Sequence, residues 1–237
     1  MKAVILAGGK GARLRPLTVS IPKPLVPIAD KPILEIILDQ LKWYNFDDIT
    51  ICVGYLADFI KSYFNEGRKH GVKISYSHET APLGTAGALS ILDKKDFKDT
   101  FLVINGDTLT TLNFKDFLEE HKKHKSIISM FIKKYKEKSR LGVIKVNSNN
   151  MIVNYIEKPE DEVLVSTGIY LMEPEVFDFI KPNTALSMPE LINILIKEKK
   201  NVYGYITDDY WADIGIPEDY EKANTEFETI KCKLKQA

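Results

Sequence analysis

Leu6-Ala7-Gly8-Gly9-Lys10-Gly11-Ala12-Arg13-Leu14-Arg15-Pro16-Leu17-Thr18 is the stretch whose reading decides the fold. It follows directly on the apolar run Lys2 to Leu6, so a buried strand empties into three glycines and a basic cluster. Glycines there let the backbone turn tightly and bring amide N–H groups against a phosphate with no Cβ in the way. Arg13 and Arg15 follow, and Lys23 stands between Pro22 and Pro24. Arginine offers phosphate oxygens a bidentate fork, and lysine a point charge. The spacing is not the dinucleotide G-x-G-x-x-G, because Leu14 occupies the third glycine's place, and no Gly-Lys-Ser/Thr P-loop is present. A glycine turn alone can be purely structural; Arg13 and the proline-flanked Lys23 favour phosphate.

Outward from this loop, short β-branched runs alternate with helical periodicity. Lys2 to Leu6, Ile49 to Val53, Val72 to Tyr76 and Thr100 to Asn105 read as buried strands. Ile33 to Tyr44, with Pro32 at an N1-like position, Leu56 to Asn65 and Thr85 to Leu92 read as the helices between them. That rhythm predicts a parallel sheet with right-handed crossovers, a Rossmann-like layered α/β/α core with a mostly parallel central sheet. After about residue 125 the pattern turns mixed. Ser126 to Tyr135, Gly142 to Val146, Met151 to Glu157 and Val163 to Leu171 are strand-like, and Pro174 to Ile180, Pro189 to Lys199 and Pro217 to Ile230 helical. With no linker between the halves, residues 1–237 are expected to form a single domain.

Composition narrows the class. The 237 residues are 44% hydrophobic and 28% charged, close to globular averages. Lys plus Arg (33) equals Asp plus Glu (33), which argues against a surface that coats nucleic acid or adsorbs to membranes. Cys52 lies in an apolar run and Cys232 in a Lys-rich tail, too far apart to form a disulfide framework. No signal peptide and no membrane span is apparent, so a soluble cytoplasmic protein is expected. His70, His78, His121 and His124 lack metal-ligand spacing; His121 and His124 are expected on a solvated helix face, and His78 is a candidate neighbour of a base pocket.

Two carboxylates stand at strand ends. Asp107, in Asn105-Gly106-Asp107, falls on the edge where open α/β sheets bind ligands, and a carboxylate there suits Mg²⁺; an Asx-turn or helix cap is the plainer reading. Asp213, in Trp211-Ala212-Asp213-Ile214-Gly215, precedes the last helix. Leu-Ala-Gly-Gly-x-Gly-x-Arg-Leu-x-Pro-Leu-Thr followed by Pro-Lys-Pro resembles the signature of the sugar-phosphate nucleotidyltransferases. Matches follow in family order at Pro82 to Gly87, Asn105 to Asp107, Glu157 to Pro159, Thr167 to Tyr170 and Trp211 to Gly215, nearly the whole chain.

The resemblance implies the nucleotide-diphospho-sugar transferase fold, with a nucleotide-binding half to about residue 125 and a sugar-phosphate-binding half over about 126–225. It implies that Leu6, Ala7, Gly8 and Gly9 line the nucleotide, with Gly11 and Arg13 at its β- and γ-phosphates and Lys23 reaching the α-phosphate. Glu79, Pro82 and Gly84 would face the base, and Asp107 and Asp213 would hold Mg²⁺. Gly142, Glu157, Lys158, Thr167 and Gly168 would meet the sugar phosphate. Arg13, Lys23 and Asp107 are the implied catalytic residues. Thr167 departs from the family, whose strand more often carries Asn or Ala before the glycine. The implied partners are a nucleoside triphosphate and a sugar 1-phosphate, and a homo-oligomer is compatible with the family.

Glu79 to Leu89 resembles the guanylyltransferase branch, typified by mannose-1-phosphate guanylyltransferases, and GTP is the expected nucleotide. A carboxylate at Glu79 could accept from guanine N1–H and N2–H₂, which thymine and uracil do not present; a solvated loop charge is the other reading. Uridylyl-, thymidylyl- and heptose-1-phosphate guanylyltransferases stay open as alternatives. A dehydrogenase is disfavoured by the broken glycine motif. A sugar-nucleotide-binding regulatory subunit is the rival of a different class, and the presence of Arg13, Lys23, Asp107, Lys158 and Asp213 favours catalysis.

Overall fold

The computed structural model describes residues 1–234. The first strand, β1 (Lys2–Ala7), has both faces covered: Ala3, Ile5 and Ala7 point into one core layer and Val4 into the other. Beyond the glycine loop come two-residue strands β2 (Pro27–Ile28) and β3 (Lys31–Pro32), then α1 (Ile33–Trp43). Pro32 is the N-cap of α1, one position earlier than its N1-like reading, and Ile33, Ile36, Ile37 and Leu41 form its buried stripe. The chain continues through β4 (Asp48–Val53), α2 (Ala57–Phe64) and β5 (Lys73–His78).

Where one helix was expected over Thr85 to Leu92, α3 (Gly84–Gly87) lasts four residues and tightens into a 3₁₀ turn over Ala88–Ile91. Two glycines in four residues give it little intrinsic helicity. Gly84 also has φ +76, and an added Cβ would lie 2.7 Å from the Leu186 carbonyl oxygen. Next come β6 (Phe101–Asn105), β7 (Thr108–Thr110) and α4 (Phe114–His124), whose Asn113 cap accepts from the amides of Lys115 and Asp116. His121 overturns the solvated-face reading of α4. It is 1% exposed, with Nδ1 2.8 Å from Ser129 Oγ and Nε2 2.9 Å from Glu173 Oε1.

The second half runs β8 (Ile128–Lys138), β9 (Val143–Val146), β10 (Ile152–Ile156), β11 (Glu160–Met172), α5 (Met188–Lys197), β12 (Val202–Ile206), β13 (Trp211–Asp213) and α6 (Pro217–Leu234). Residues Pro174–Phe179 form a 3₁₀ helix. The strand β12 escaped the sequence reading, since Val-Tyr-Gly-Tyr-Ile is short and interrupted by glycine. The seven-stranded sheet has the order β12-β8-β11-β6-β1-β4-β5. Its β6-β1-β4-β5 portion is parallel throughout, and β11 runs antiparallel between β6 and β8. This is the expected mostly parallel layered sheet. Its carboxyl edge at β1, β4 and β6 leaves a crevice beside the glycine loop.

Candidate active site

The crevice is a cavity of about 850 Å³ lined by Leu6, Gly8 and Gly9 from the end of β1, Glu79, Pro82 and Gly84 from the segment after β5, and Asp107 after β6. Ala7 is buried beneath this lining. The glycines of the loop differ in what holds them, and Gly9 has open space around it. Gly11 is left-handed, φ +59, and its carbonyl accepts the Thr18 hydroxyl at 2.7 Å. At Gly8 a Cβ would come 2.7 Å from Glu79 Oε1, so any side chain there would displace the Glu79 carboxylate. Glu79 is therefore at the cavity wall, and its Oε2 is committed to the Leu83 amide at 3.1 Å.

Lys23 is 8% exposed and pairs with Asp107 Oδ2, while its Nζ lies 3.7 Å from Asp213 Oδ1. Arg13 Nη2 approaches Asp213 Oδ2 at 3.9 Å. The two aspartates are neighbours because β13 pairs antiparallel with β7, setting Asp213 opposite Thr108, and the Ile214 amide donates to the Asp107 carbonyl at 3.0 Å. Burial, and then the Asp107 charge, push the Asp213 carboxyl above its usual range; Lys23 and Arg13 pull it partly back. Asp107 Oδ1 is buried and has no hydrogen-bond partner among the described residues. An orphaned carboxylate oxygen beside a second, repelled carboxylate is a donor set that fits a hard divalent cation. No third His, Cys, Asp or Glu converges there among the described residues, so phosphate oxygens and water would complete such a shell.

Thr167 and Gly168 sit in the middle of β11, at the start of its buried half, where its register with β8 breaks between Ser166 and Tyr170. Thr167 is buried, its hydroxyl donating to the Phe131 carbonyl at 2.8 Å. Gly168 has φ +77, and a Cβ there would strike the Asn105 side chain, which lines the cavity. Gly142, Glu157 and Lys158 are not brought to this centre. They form a separate group of a half-buried glycine and two exposed charges, where Tyr155 donates to Glu157 Oε2 at 2.7 Å and Lys158 Nζ lies 4.0 Å from Glu157 Oε1. Ten residues of chain separate Glu157 from Gly168, most of them in extended β11.

Several lining residues had no assigned role in the sequence reading: Lys10, Tyr55, Thr85 and Asn105. Lys10, Thr85 and Asn105 sat inside quoted motifs, so their signal was legible; Tyr55 carried none. His78 does line the cavity. Trp211, quoted above only as part of a motif, donates from Nε1 to the Thr167 carbonyl at 2.9 Å and so ties β13 to β11.

A glycine loop at the carboxyl edge of a mostly parallel sheet, facing a lysine shared by two aspartates, is the architecture of a nucleotidyl transferase, and this chain belongs to that family, matching it over residues 2–230. Among its relatives, a D-glycero-alpha-D-manno-heptose 1-phosphate guanylyltransferase of Aneurinibacillus thermoaerophilus is 35% identical over 96% of this chain and 99% of its own length. A UTP–glucose-1-phosphate uridylyltransferase of Synechocystis sp. is 37% identical over 94% of this chain, which spans 62% of that relative's length. The crystal structure of HddC from Yersinia pseudotuberculosis superposes with a TM-score of 0.75 at 30% identity, covering 95% of this chain and 99% of that one, and HddC has also been solved with GMP-PN.

Proposed function

We propose that the chain is a sugar-1-phosphate nucleotidyltransferase that joins a sugar 1-phosphate to a nucleoside triphosphate and releases pyrophosphate. The observation that carries this reading is Lys23, buried and held between Asp107 and Asp213 at the mouth of the phosphate loop. In the reaction a phosphate oxygen of the sugar 1-phosphate attacks the α-phosphorus in line, and the bond to the β-phosphate oxygen breaks. That nucleophile is already anionic near neutral pH, so alignment and charge neutralisation are the tasks left to the protein. The loop amides from Gly8 to Gly11 and the Arg13 guanidinium hold the departing phosphates, and Lys23 faces the α-phosphate. Asp107 and Asp213 would hold Mg²⁺, which would supply further charge neutralisation. Thr167 and Gly168, beside the cavity-lining Asn105, are assigned to the sugar phosphate; Glu157, Lys158 and Gly142, which stand apart from the crevice, are assigned to it on the family motif alone.

GTP is the proposed nucleotide, giving a GDP-sugar such as GDP-mannose. Glu79 supports it: its carboxylate lines the cavity, with one oxygen accepting from the Leu83 amide, and so offers an acceptor to a base edge bearing N–H donors. The near-complete overlap with the heptose 1-phosphate guanylyltransferase makes a heptose the second sugar to try. The setting is proposed to be cytoplasmic; no helix of the described residues is long and apolar enough to cross a membrane.

The test is pyrophosphate release with Mg²⁺ across GTP, UTP, dTTP, CTP and ATP against mannose, glucose, N-acetylhexosamine and heptose 1-phosphates. Turnover with GTP above the other nucleotides is expected. Tight nucleotide binding with no turnover anywhere in the panel would show a regulatory subunit instead.

A further inference from the structure

The segment that follows β5 supplies much of the crevice wall, from Glu79 to Thr85, yet little within it holds its shape. Residues 80–82 and 84–85 are exposed, and α3 is four residues long, far below the length at which a helix is stable alone. Its backbone bonds go instead to Thr184–Met188, an irregular stretch between the 3₁₀ helix Pro174–Phe179 and α5 that belongs to no quoted motif. Met188 lies 103 residues beyond Thr85 in the chain.

The Leu186 carbonyl accepts the amides of Ala86 at 3.0 Å and Gly87 at 2.8 Å, and the Leu186 amide donates to the Leu83 carbonyl at 2.8 Å. The Met188 amide donates to the Thr85 hydroxyl at 2.8 Å. Leu83 carries the connection into the crevice, because its own amide donates to Glu79 Oε2 at 3.1 Å. Packing is as close as the hydrogen bonding. A Cβ on Gly87 would lie 2.8 Å from the Thr184 carbonyl oxygen and 3.0 Å from the Leu186 nitrogen, and one on Gly84 would meet the Leu186 carbonyl. Both glycines of the Pro82 to Gly87 stretch are thus fitted to this distant segment. The segment is anchored in its turn. Ser187 and Glu190 form a capping box at the start of α5, and Met188, Leu191 and Leu195 are buried in one apolar cluster with Ala86 and Leu89. None of residues 184–188 lines the crevice.

We propose that Thr184–Met188 is a strap that positions the base-facing segment, so that the Leu186 main chain and its Ser187 cap govern nucleotide affinity and base choice without touching the nucleotide, an inference that rests on the assignment of Glu79 to the base. Leu186 and Ser187 are positioning residues: they act through Leu83 on the Glu79 carboxylate. A rigid strap keeps that acceptor in register with one base edge, and small misplacements of such a group are costly. Loosening the strap weakens nucleotide binding, while Lys23 with its aspartates, and Thr167 and Gly168 on β11, are held by other elements and keep their places.

Three variants of the full chain test this. Ser187→Ala removes the cap without altering the crevice lining, Ser187→Thr restores it, and Gly87→Ala inserts one methyl, at a helical φ of −63, against Thr184 and Leu186. Hydrogen exchange at the Ala86 and Gly87 amides is expected to quicken roughly fivefold in Ser187→Ala and to return to the wild-type rate in Ser187→Thr. In the pyrophosphate-release assay, Gly87→Ala should raise KM for the nucleoside triphosphate on the order of tenfold and lower the preference for GTP over UTP, with kcat and KM for the sugar 1-phosphate within about twofold of wild type. Unchanged exchange at Ala86 and Gly87 in Ser187→Ala, no recovery in Ser187→Thr, or an equal rise in both KM values would each overturn the strap. A wild type without turnover would remove the transferase reading instead. The exchange rates, and the calorimetric affinity of Gly87→Ala for GTP, would then still decide the strap, an undiminished affinity overturning it.

Discussion

Lys23 shows how much one side chain's surroundings decide. A lysine that is 8% exposed must find compensating charge, and it does so from Asp107 and Asp213 together. Replacing Asp107, Asp213 or Lys23 by Ala is expected to lower the rate of pyrophosphate release by roughly 10²-fold or more each, the scale of losing one preorganised electrostatic contact in a transition state. Near-normal rates in all three variants would remove the proposed chemistry. His121 belongs to the same scale. Burial holds its pKa below the ordinary histidine value, with Lys122 acting in the same sense and the Glu173 contacts opposing. The unfolded chain therefore takes up this proton more readily than the folded one. Stability from this site is full above about pH 6.5 and declines as pH falls through that value. Thermal midpoints measured at pH 7.5 and 5.5 should show the loss, and His121→Phe should flatten it.

Elements, not residues, bring the two halves of the site together. The three-residue β13 has almost no intrinsic stability, yet it carries Asp213 to β7 and, through Trp211, holds the Thr167 carbonyl beside the left-handed Gly168. Trp211→Phe keeps an aromatic side chain but removes the donor and part of the ring system. Its expected cost is at least about 1 kcal/mol of stability, the net worth of one hydrogen bond. KM for the sugar 1-phosphate should rise while KM for the nucleotide holds, and an equal rise in both would mean that Trp211 only packs. Sequence periodicity found the long elements here because a buried strand or an amphipathic helix writes its environment into its own residues. Short ones such as β7, β12 and α3 were read poorly or missed, since their conformation comes from the neighbours they pair with.

At the scale of the whole molecule, one sheet crosses from the phosphate-loop half into the second half through the antiparallel β6–β11 pair, so binding at the crevice should stabilise the fold as a unit. Nucleotide with Mg²⁺ at about 100 times its dissociation constant should contribute about 2.7 kcal/mol, a rise of roughly 5–10 °C in thermal midpoint for a chain of this size. Asp213→Ala should lose the part of that rise that depends on Mg²⁺; an identical rise with and without the metal would detach it from Asp213.

The sequence by itself determined the layered sheet, the phosphate loop and the identity of its cationic and acidic groups. Those features depend on local backbone freedom at Gly11 and on the spacing of apolar residues, which neighbouring residues alone can specify. Only the tertiary structure decided that Asp107 and Asp213, 106 residues apart in the chain, meet across β7 and β13 around one buried lysine. It also decided that His121 is buried, and that Glu157 and Lys158 stand exposed, apart from the crevice. Long-range pairing and burial set these, and no stretch of sequence states which distant partner it will face.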